Sequence, residues 1–295
     1  MRPYSRLRRK AISYVMTGLA ALSVVITLVP LGSILYTAAV KGGVALSFQF
    51  FTQAPAPGCS PRPGVTCALG GIAPSIQGTL ILIGLAALIA VPIGIAAAIF
   101  VVEYGRDRPL GRVISTTADV LSGVPSIVAG AFVYSLFVAY DPQVVFSALS
   151  GSLALSVLML PVVTRTSEEA LRTVPNAMRE AALALGIAKW KATLRIVLVT
   201  ALPGVVTGVL LSVARAAGEA APLLLTAFGS PRGFQGFDQP IDAMPLRIFE
   251  FATSPYTNWQ ELAWGAALIL ILLVLLMSLL SRFVLRRMTV RLRGS

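Results

Sequence analysis

Residues 212–225 read SVARAAGEAAPLLL and hold two charges, Arg215 and Glu219, four positions apart among small and apolar side chains. Positions four apart are one helical turn apart, so in a continuous helix the two lie on one face and reach each other. A guanidinium is a planar fork of donors that can grip two oxygens of an anion at once. The carboxylate can hold that fork while the site is empty, or accept a hydrogen bond from a protonated oxygen of the anion. The plainer alternative is a buried salt bridge that fixes helix register and meets no ligand. Other chemistries are poorly supplied. The chain has no histidine, no paired carboxylates within an apolar segment and no serine with an identifiable base, so acid–base and nucleophilic catalysis lack their groups. Cys59 and Cys67, the two cysteines, lack the spacing and companions of a zinc, haem or iron–sulfur site. No G-x-x-x-x-G-K-[ST] phosphate loop occurs, so this chain is not expected to hydrolyse ATP by itself.

The segment carrying the pair belongs to a chain suited to lipid. Of 295 residues, 56% are hydrophobic and 12% charged, and mean hydropathy is +0.83, outside the range of a soluble domain. Crossing a hydrocarbon core of about 30 Å takes roughly 20 helical residues. Six stretches meet that length: 14–40, 76–102, 118–140, 144–163, 202–228 and 262–281. They are continuous apolar runs and not the roughly 10-residue alternating segments of a barrel. The expected fold class is therefore all-α, a polytopic membrane protein with six transmembrane helices. The first stretch follows the basic RLRRK but stays uncharged from Ala11 through Val40; a signal core runs only about 7–15 residues, so this reads as a retained span. The third contains Gly123, Pro125 and Gly130, tolerated where neighbouring helices satisfy the freed backbone groups, which suggests a packed helix beside a pathway. In the fifth, Gly204 with Gly208 and Ala214 with Gly218 form small-xxx-small patterns suited to close helix approach. Arg215 and Glu219 fall near the middle of that span. An ionisable group at the bilayer centre costs at least about 2.5–3.5 kcal/mol, so the pair should face the bundle interior or a water-filled path.

The formal net charge of +12 would suggest nucleic acid in a soluble protein, but its distribution points to a membrane and no nucleic acid. Basic residues gather in the N-terminal tail, in the loop after span two (Arg106, Arg108, Arg112), in the loop after span four and at the C-terminal end. Nineteen lie on that side against four on the other (Lys41, Arg62, Arg232, Arg247), which places both termini in the cytoplasm. The resulting plan is a basic tail over 1–13, a membrane domain over 14–286 that includes a cytoplasmic loop at 165–200, and a second basic tail over 287–295. On the opposite side, the Pro- and Gly-rich segment 41–75 carries Cys59 and Cys67. A disulfide closing this small loop and two free thiols are both compatible with that placement.

The cytoplasmic loop is long for a bundle connection, where roughly 2–8 residues suffice, so it should have structure and a task. Met178, Ala181 or Ala182, and Leu185 recur at helical spacing, with Gly186 as the turn that ends the helix. A second helix puts Trp190, Leu194 and Val197 on one face and Lys191 and Arg195 largely off it. Two short amphipathic helices joined at a glycine suit a protrusion docking in another protein's groove, or a basic helix lying on the membrane surface.

Glu180, Ala181, Ala182, Gly186, Ile196 and Leu198 fit the EAA…G…I.L signature of ABC-importer permease subunits. The segments LSGVPSIVAG, VARAAGEAAPLLLTA, GGIAPSIQGTL and ELAWGAAL, spread over about 70–270, resemble phosphate-importer permeases of the PstA type. The resemblance implies the type I ABC-importer permease architecture in a bacterial cytoplasmic membrane. It also implies partners: a homologous PstC-type permease, a dimer of PstB-type ATPases that bind ATP and Mg, and a PstS-type phosphate-binding protein, with no cofactor on this chain. It makes 176–198 the coupling element that docks on the ATPase, and Arg215 and Glu219 a pair implicated in phosphate transport. Val199 stands where the family usually has proline, leaving the end of the second loop helix open, and Ala220 stands where many members have a threonine hydroxyl. The expected function is that of the membrane-spanning subunit of an ATP-driven phosphate importer working by alternating access. Alternatives are a permease for another oxyanion, molybdate or sulfate, and a passive anion channel.

Overall fold

A computed structural model describes residues 4–60, 67–106 and 108–293. Helices α1 (Tyr4–Ala45) and α2 (Phe48–Thr52) precede α3 (Ala73–Ile99), which loosens into a π-helical stretch over Phe100–Tyr104. Next come α4 (Pro109–Ser122), α5 (Ser126–Tyr140), α6 (Ala148–Arg172) and the short α7 (Asn176–Ala184). Helix α8 (Lys189–Ala192) passes through a second π-helical stretch, Thr193–Val197, into α9 (Leu198–Ala217); α10 (Ala221–Thr226), α11 (Met244–Ala252) and α12 (Thr257–Arg293) follow. Among the described residues there are two isolated bridges and no strand, so the chain is all-α. Five helical stretches are long and apolar enough to span a membrane, and the bent pair α4–α5 makes a sixth.

Helix α6 lies at the centre and packs against α3, α4, α5, α9 and α10. Its sequence explains why: Gly151, Ser152, Ala154 and Ser156 are small and buried, so neighbouring helices come close, while Leu155 and Met159 fill the core with Leu82, Ala86 and Ala90 of α3. Ser152 and Ser156 return their hydroxyl protons to backbone carbonyls of their own helix, which removes the cost of burying them. The expected close approach at Gly204 and Gly208 is present, since a Cβ at Gly204 would stand 2.7 Å from that of Ala170 and one at Gly208 would overlap Thr166. Helix α1 packs on α12, and none of its most apolar window is buried; lipid or another chain must cover it.

The outer helices overrun their expected limits, α1 running from Tyr4 to Ala45 and α12 from Thr257 to Arg293, and three inner spans differ in build. The third is two helices meeting at 108°, because Pro125 lacks a backbone N–H and drives the residue before it out of helical conformation. Its first half starts at Pro109, in a charged segment that apolarity alone leaves out. The fourth runs on to Arg172: Arg165 and Arg172 both bond Glu168 within one turn, so charge ends the apolar run without ending the helix. The fifth begins at Lys189 and stops at Ala217, followed by a break at 218–220. Pro222, near the start of α10, cannot donate the bond that would continue the helix.

Candidate functional site

Helix α9 is keyed to the middle of α6. Besides the glycine contacts, the Ser212 hydroxyl donates to the Met159 carbonyl at 3.4 Å, and Ala214, Ala216 and Ala217 are buried. One face is left open, marked by Leu211, Arg215 and Gly218 at successive helical turns. Since Met159 lies midway along α6, Arg215 sits about one turn from the centre of the bundle.

The pair comes together across a break and not along one continuous helix. Arg215 occupies the last turn of α9, where the carbonyl ends favour a cation, and Glu219 lies in the 218–220 break with its amide donating to the Ala216 carbonyl. Arg215 Nε stands 3.7 Å from Glu219 Oε1, too far for a hydrogen bond although close enough for attraction. The guanidinium is 61% exposed and the carboxylate 21%. Glu219 is thus the more covered of the two, and the guanidinium donors are not taken up by it.

At the basic end of the bundle, α7 is a separate short helix. Its terminus is a Schellman motif: Gly186 has φ +75°, its N–H bonds the Leu183 carbonyl and that of Ile187 bonds Ala182. Ala182 is buried against the bundle, whereas Glu180, Ala181 and Gly186 are exposed. The second loop helix is corrected, because α8 continues unbroken into α9 and no helix ends near Val199. Ile196 and Leu198, both half-buried, therefore belong to the long span helix. Its inward face is also different: Ala192, Thr193 and Val197 are buried, while Trp190 and Leu194 are exposed. With Met178 and Leu185 they leave apolar side chains uncovered at this end. Trp190 also lies beneath Lys191, whose Nζ is 5.4 Å from the ring centroid.

Arg179, which the sequence offers only as one of the basic residues of the loop after span four, fixes α7 in place. It donates to Glu103 Oε1 at 2.8 Å, to the Val174 carbonyl at 2.5 Å and to the Leu171 carbonyl at 2.9 Å. One side chain thereby ties α7 to the ends of α3 and α6. Glu103 is 76 residues away, and no spacing rule connects such partners. Asp119 on α4 and Ser115 likewise bind Arg165 on α6. On the opposite side, buried Arg247 donates to Asp242 Oδ2 at 2.9 Å and to Glu250 Oε2 at 2.8 Å, and Ser75 donates to the same Asp242 oxygen. Burial pushes the Asp242 carboxyl upward from its ordinary value, opposed by the charge of Arg247 and the hydroxyl of Ser75. Cys59 and Cys67 form a disulfide. Its loop is held by Asn258 of α12, which accepts from the Cys59 amide and donates to the carbonyls of Pro57 and Ala68.

With a broken span beside an open charged face and a capped helix projecting from the basic end, comparison with known proteins becomes informative. Residues 90–290 match the model of the binding-protein-dependent transport system inner membrane component family. The chain belongs to that family. Relatives of this permease include the phosphate transport system permease protein PstA of Xylella fastidiosa (strain 9a5c), 47% identical over 74% of this chain and 76% of that one. PstA of Haemophilus influenzae is 39% identical over 93% and 94%, and PstA 1 of Mycobacterium tuberculosis (strain H37Rv) is 41% identical over 91% and 85%. Among solved structures, a chain of the bacterial alginate ABC transporter bound to its periplasmic protein superposes with TM-score 0.66 at 14% identity, covering 98% of the permease and 99% of that chain. A chain of the inward-facing MetNI methionine transporter gives TM-score 0.56 at 17% identity, over 74% and 94%. At such identities the likeness concerns the fold alone.

Proposed function

We propose that the permease is the membrane-spanning subunit of an ATP-driven phosphate importer and forms part of its translocation pathway by alternating access. The observation that carries this reading is the open, charged face of α9 in a chain 39–47% identical to phosphate permeases over most of its length. A guanidinium near mid-membrane does not face lipid, so a second membrane protein or a water path covers it. A homologous PstC-type permease is the natural cover, with phosphate meeting Arg215 between the two chains. Bidentate bonds from Arg215 suit a phosphate's paired oxygens, and Glu219 restrains the guanidinium when the site is empty.

The exposed apolar groups Met178, Leu185, Trp190 and Leu194 suit a protein groove. On this reading they dock α7 on a dimer of PstB-type ATPases, which bind ATP and Mg, in the cytoplasm, where both permease termini also lie. A PstS-type binding protein delivers phosphate on the opposite side, over the disulfide loop and α11. The permease itself carries no catalytic group in this scheme.

Purification of the tagged chain from its native membrane, with identification of what accompanies it, tests the assignment. A second permease and an ATPase in stoichiometric amounts are expected. A chain that purifies alone and conducts phosphate without ATP would instead be a passive channel. Competition by sulfate or molybdate in the same complex addresses the other-oxyanion reading, because sulfate carries no proton for Glu219 to accept.

A further inference from the structure

Between the basic-side ends of α3, α6 and α8 and the inner face of α7 lies a cavity of about 740 Å³, within the range of sites that hold small ligands. Its walls combine two chemistries. Val101, Val174 and Val197, all buried, give it an apolar floor, and Tyr104 stands at its side. Five basic residues and one acid also line it. Arg179 is neutralised by Glu103 and Arg172 by Glu168, whereas Arg106, Arg108 and Lys189 have no carboxylate partner among the described residues. Lys189 is also steered toward the cavity wall, its Nζ 4.9 Å from the centroid of the Tyr104 ring.

We propose that this cavity is a site for a phosphate group, occupied by the headgroup of an anionic phospholipid. Three cations without a carboxylate partner among the described residues, together with an apolar floor, match a phosphodiester joined to an acylated glycerol, whereas a free ion would leave the floor unfilled. The location agrees, because the lining residues end three apolar spans on the side where basic residues collect, and basic pockets between span ends are where anionic headgroups bind. The docking residues Leu185 and Trp190 are not among the lining groups, so a lipid here and an ATPase on α7 can coexist. The lipid would brace the junction through which α7 is tied to α3 and α6.

The test uses the intact transporter complex in nanodiscs of phosphatidylglycerol mixed with phosphatidylcholine, with native mass spectrometry reading the lipid retained. Each cation near the surface contributes about fivefold in affinity, so Arg106→Gln, Arg108→Gln and Lys189→Gln together should lower phosphatidylglycerol retention on the order of a hundredfold. Arg112→Gln, in the same basic loop but outside the lining, should leave it unchanged. If the triple variant does not assemble, Arg106→Gln and Arg108→Gln singly should each show the fivefold loss. Equal retention by wild type and variants overturns the proposal, as does an equal loss in Arg112→Gln. Retention of phosphatidylglycerol and phosphatidylcholine alike, with inorganic phosphate protecting the cavity, assigns it to the free ion and overturns the lipid. Retention by the permease pair alone, lost when the ATPase is bound, gives the cavity to acidic groups of the ATPase and also overturns it.

Discussion

At the scale of single residues, the difference in exposure between Arg215 and Glu219 decides what each does. On the proposed reading, a carboxylate beside the guanidinium weakens its hold on an anion without blocking it. Glu219→Gln is therefore expected to lower the KM for phosphate and lower kcat with it, since a tightly held ion leaves slowly; uptake kinetics of the complex measure both, and a raised KM would show instead that Glu219 bonds the substrate. Gly186 gives a separate test. Open space surrounds the position of a Cβ there, so any effect of substitution comes from its φ of +75°. Gly186→Val should cost the α7 cap at least about 1–2 kcal/mol and weaken ATPase copurification, while Gly186→Asn, which tolerates that conformation, should retain most of it. On the opposite side, Arg247→Met would leave Asp242 buried and unpaired, at about 3–5 kcal/mol. Thermal unfolding of the purified complex should show a large loss for that variant and a smaller one when Asp242→Leu is added; no recovery in the double variant would mean that packing, and not charge pairing, holds α11. The types and spacing of Arg215 and Glu219 were legible from sequence, but which of the two is open was not, because exposure depends on how α9 packs against α6.

At the scale of elements, hydropathy located every span but misplaced their ends, most tellingly in the third, fourth and fifth. Hydropathy gives no sign that the helix stops at either break, and proline alone does not either, since Pro30, Pro92, Pro161 and Pro203 lie inside unbroken helices; at both breaks a glycine ends the helix, Gly123 or Gly218, a few residues ahead of a proline. Charges act in the opposite sense. Arg165, Glu168 and Arg172 end the apolar run, yet they pair along the helix and let α6 continue. The same holds for α8 and α9, where Lys189, Lys191 and Arg195 precede a span helix with no break between. The role of Arg179 was illegible because its charged partner, Glu103 at the end of α3, lies 76 residues away. Bonds from this side chain join α7 to the ends of α3 and α6, so on the proposed reading a pull on α7 would reach both. Arg179→Leu is expected to preserve assembly while ATP hydrolysis continues with uptake reduced about 10- to 100-fold, consistent with losing charge-assisted bonds of about 1.5–3 kcal/mol; uptake and hydrolysis that fall in proportion would place Arg179 in folding and not in coupling. The close contact of Gly208 with Thr166 sets the α6–α9 distance, and Gly208→Leu should destabilise the permease by about 1–3 kcal/mol, read as lowered thermal stability.

At the scale of the whole molecule, one chain is visibly incomplete. Helix α1 is unburied along its apolar window, a charged face lies open in the last turn of α9, and apolar groups are exposed on α7, α8 and the stretch that follows. On the proposed reading a lipid annulus, a second permease and an ATPase would cover these surfaces respectively. On the same reading the permease offers a path and a lever, and a separate ATPase supplies the energy. The most direct test is ATP-driven uptake of labelled phosphate into proteoliposomes by the complete complex, with wild type and Arg215→Leu compared at equal assembly. The account predicts uptake that requires ATP, is not displaced by excess sulfate, and falls to background in Arg215→Leu while the ATPase stays bound. Undiminished uptake by that variant, or phosphate entry by the wild type without ATP, would contradict it.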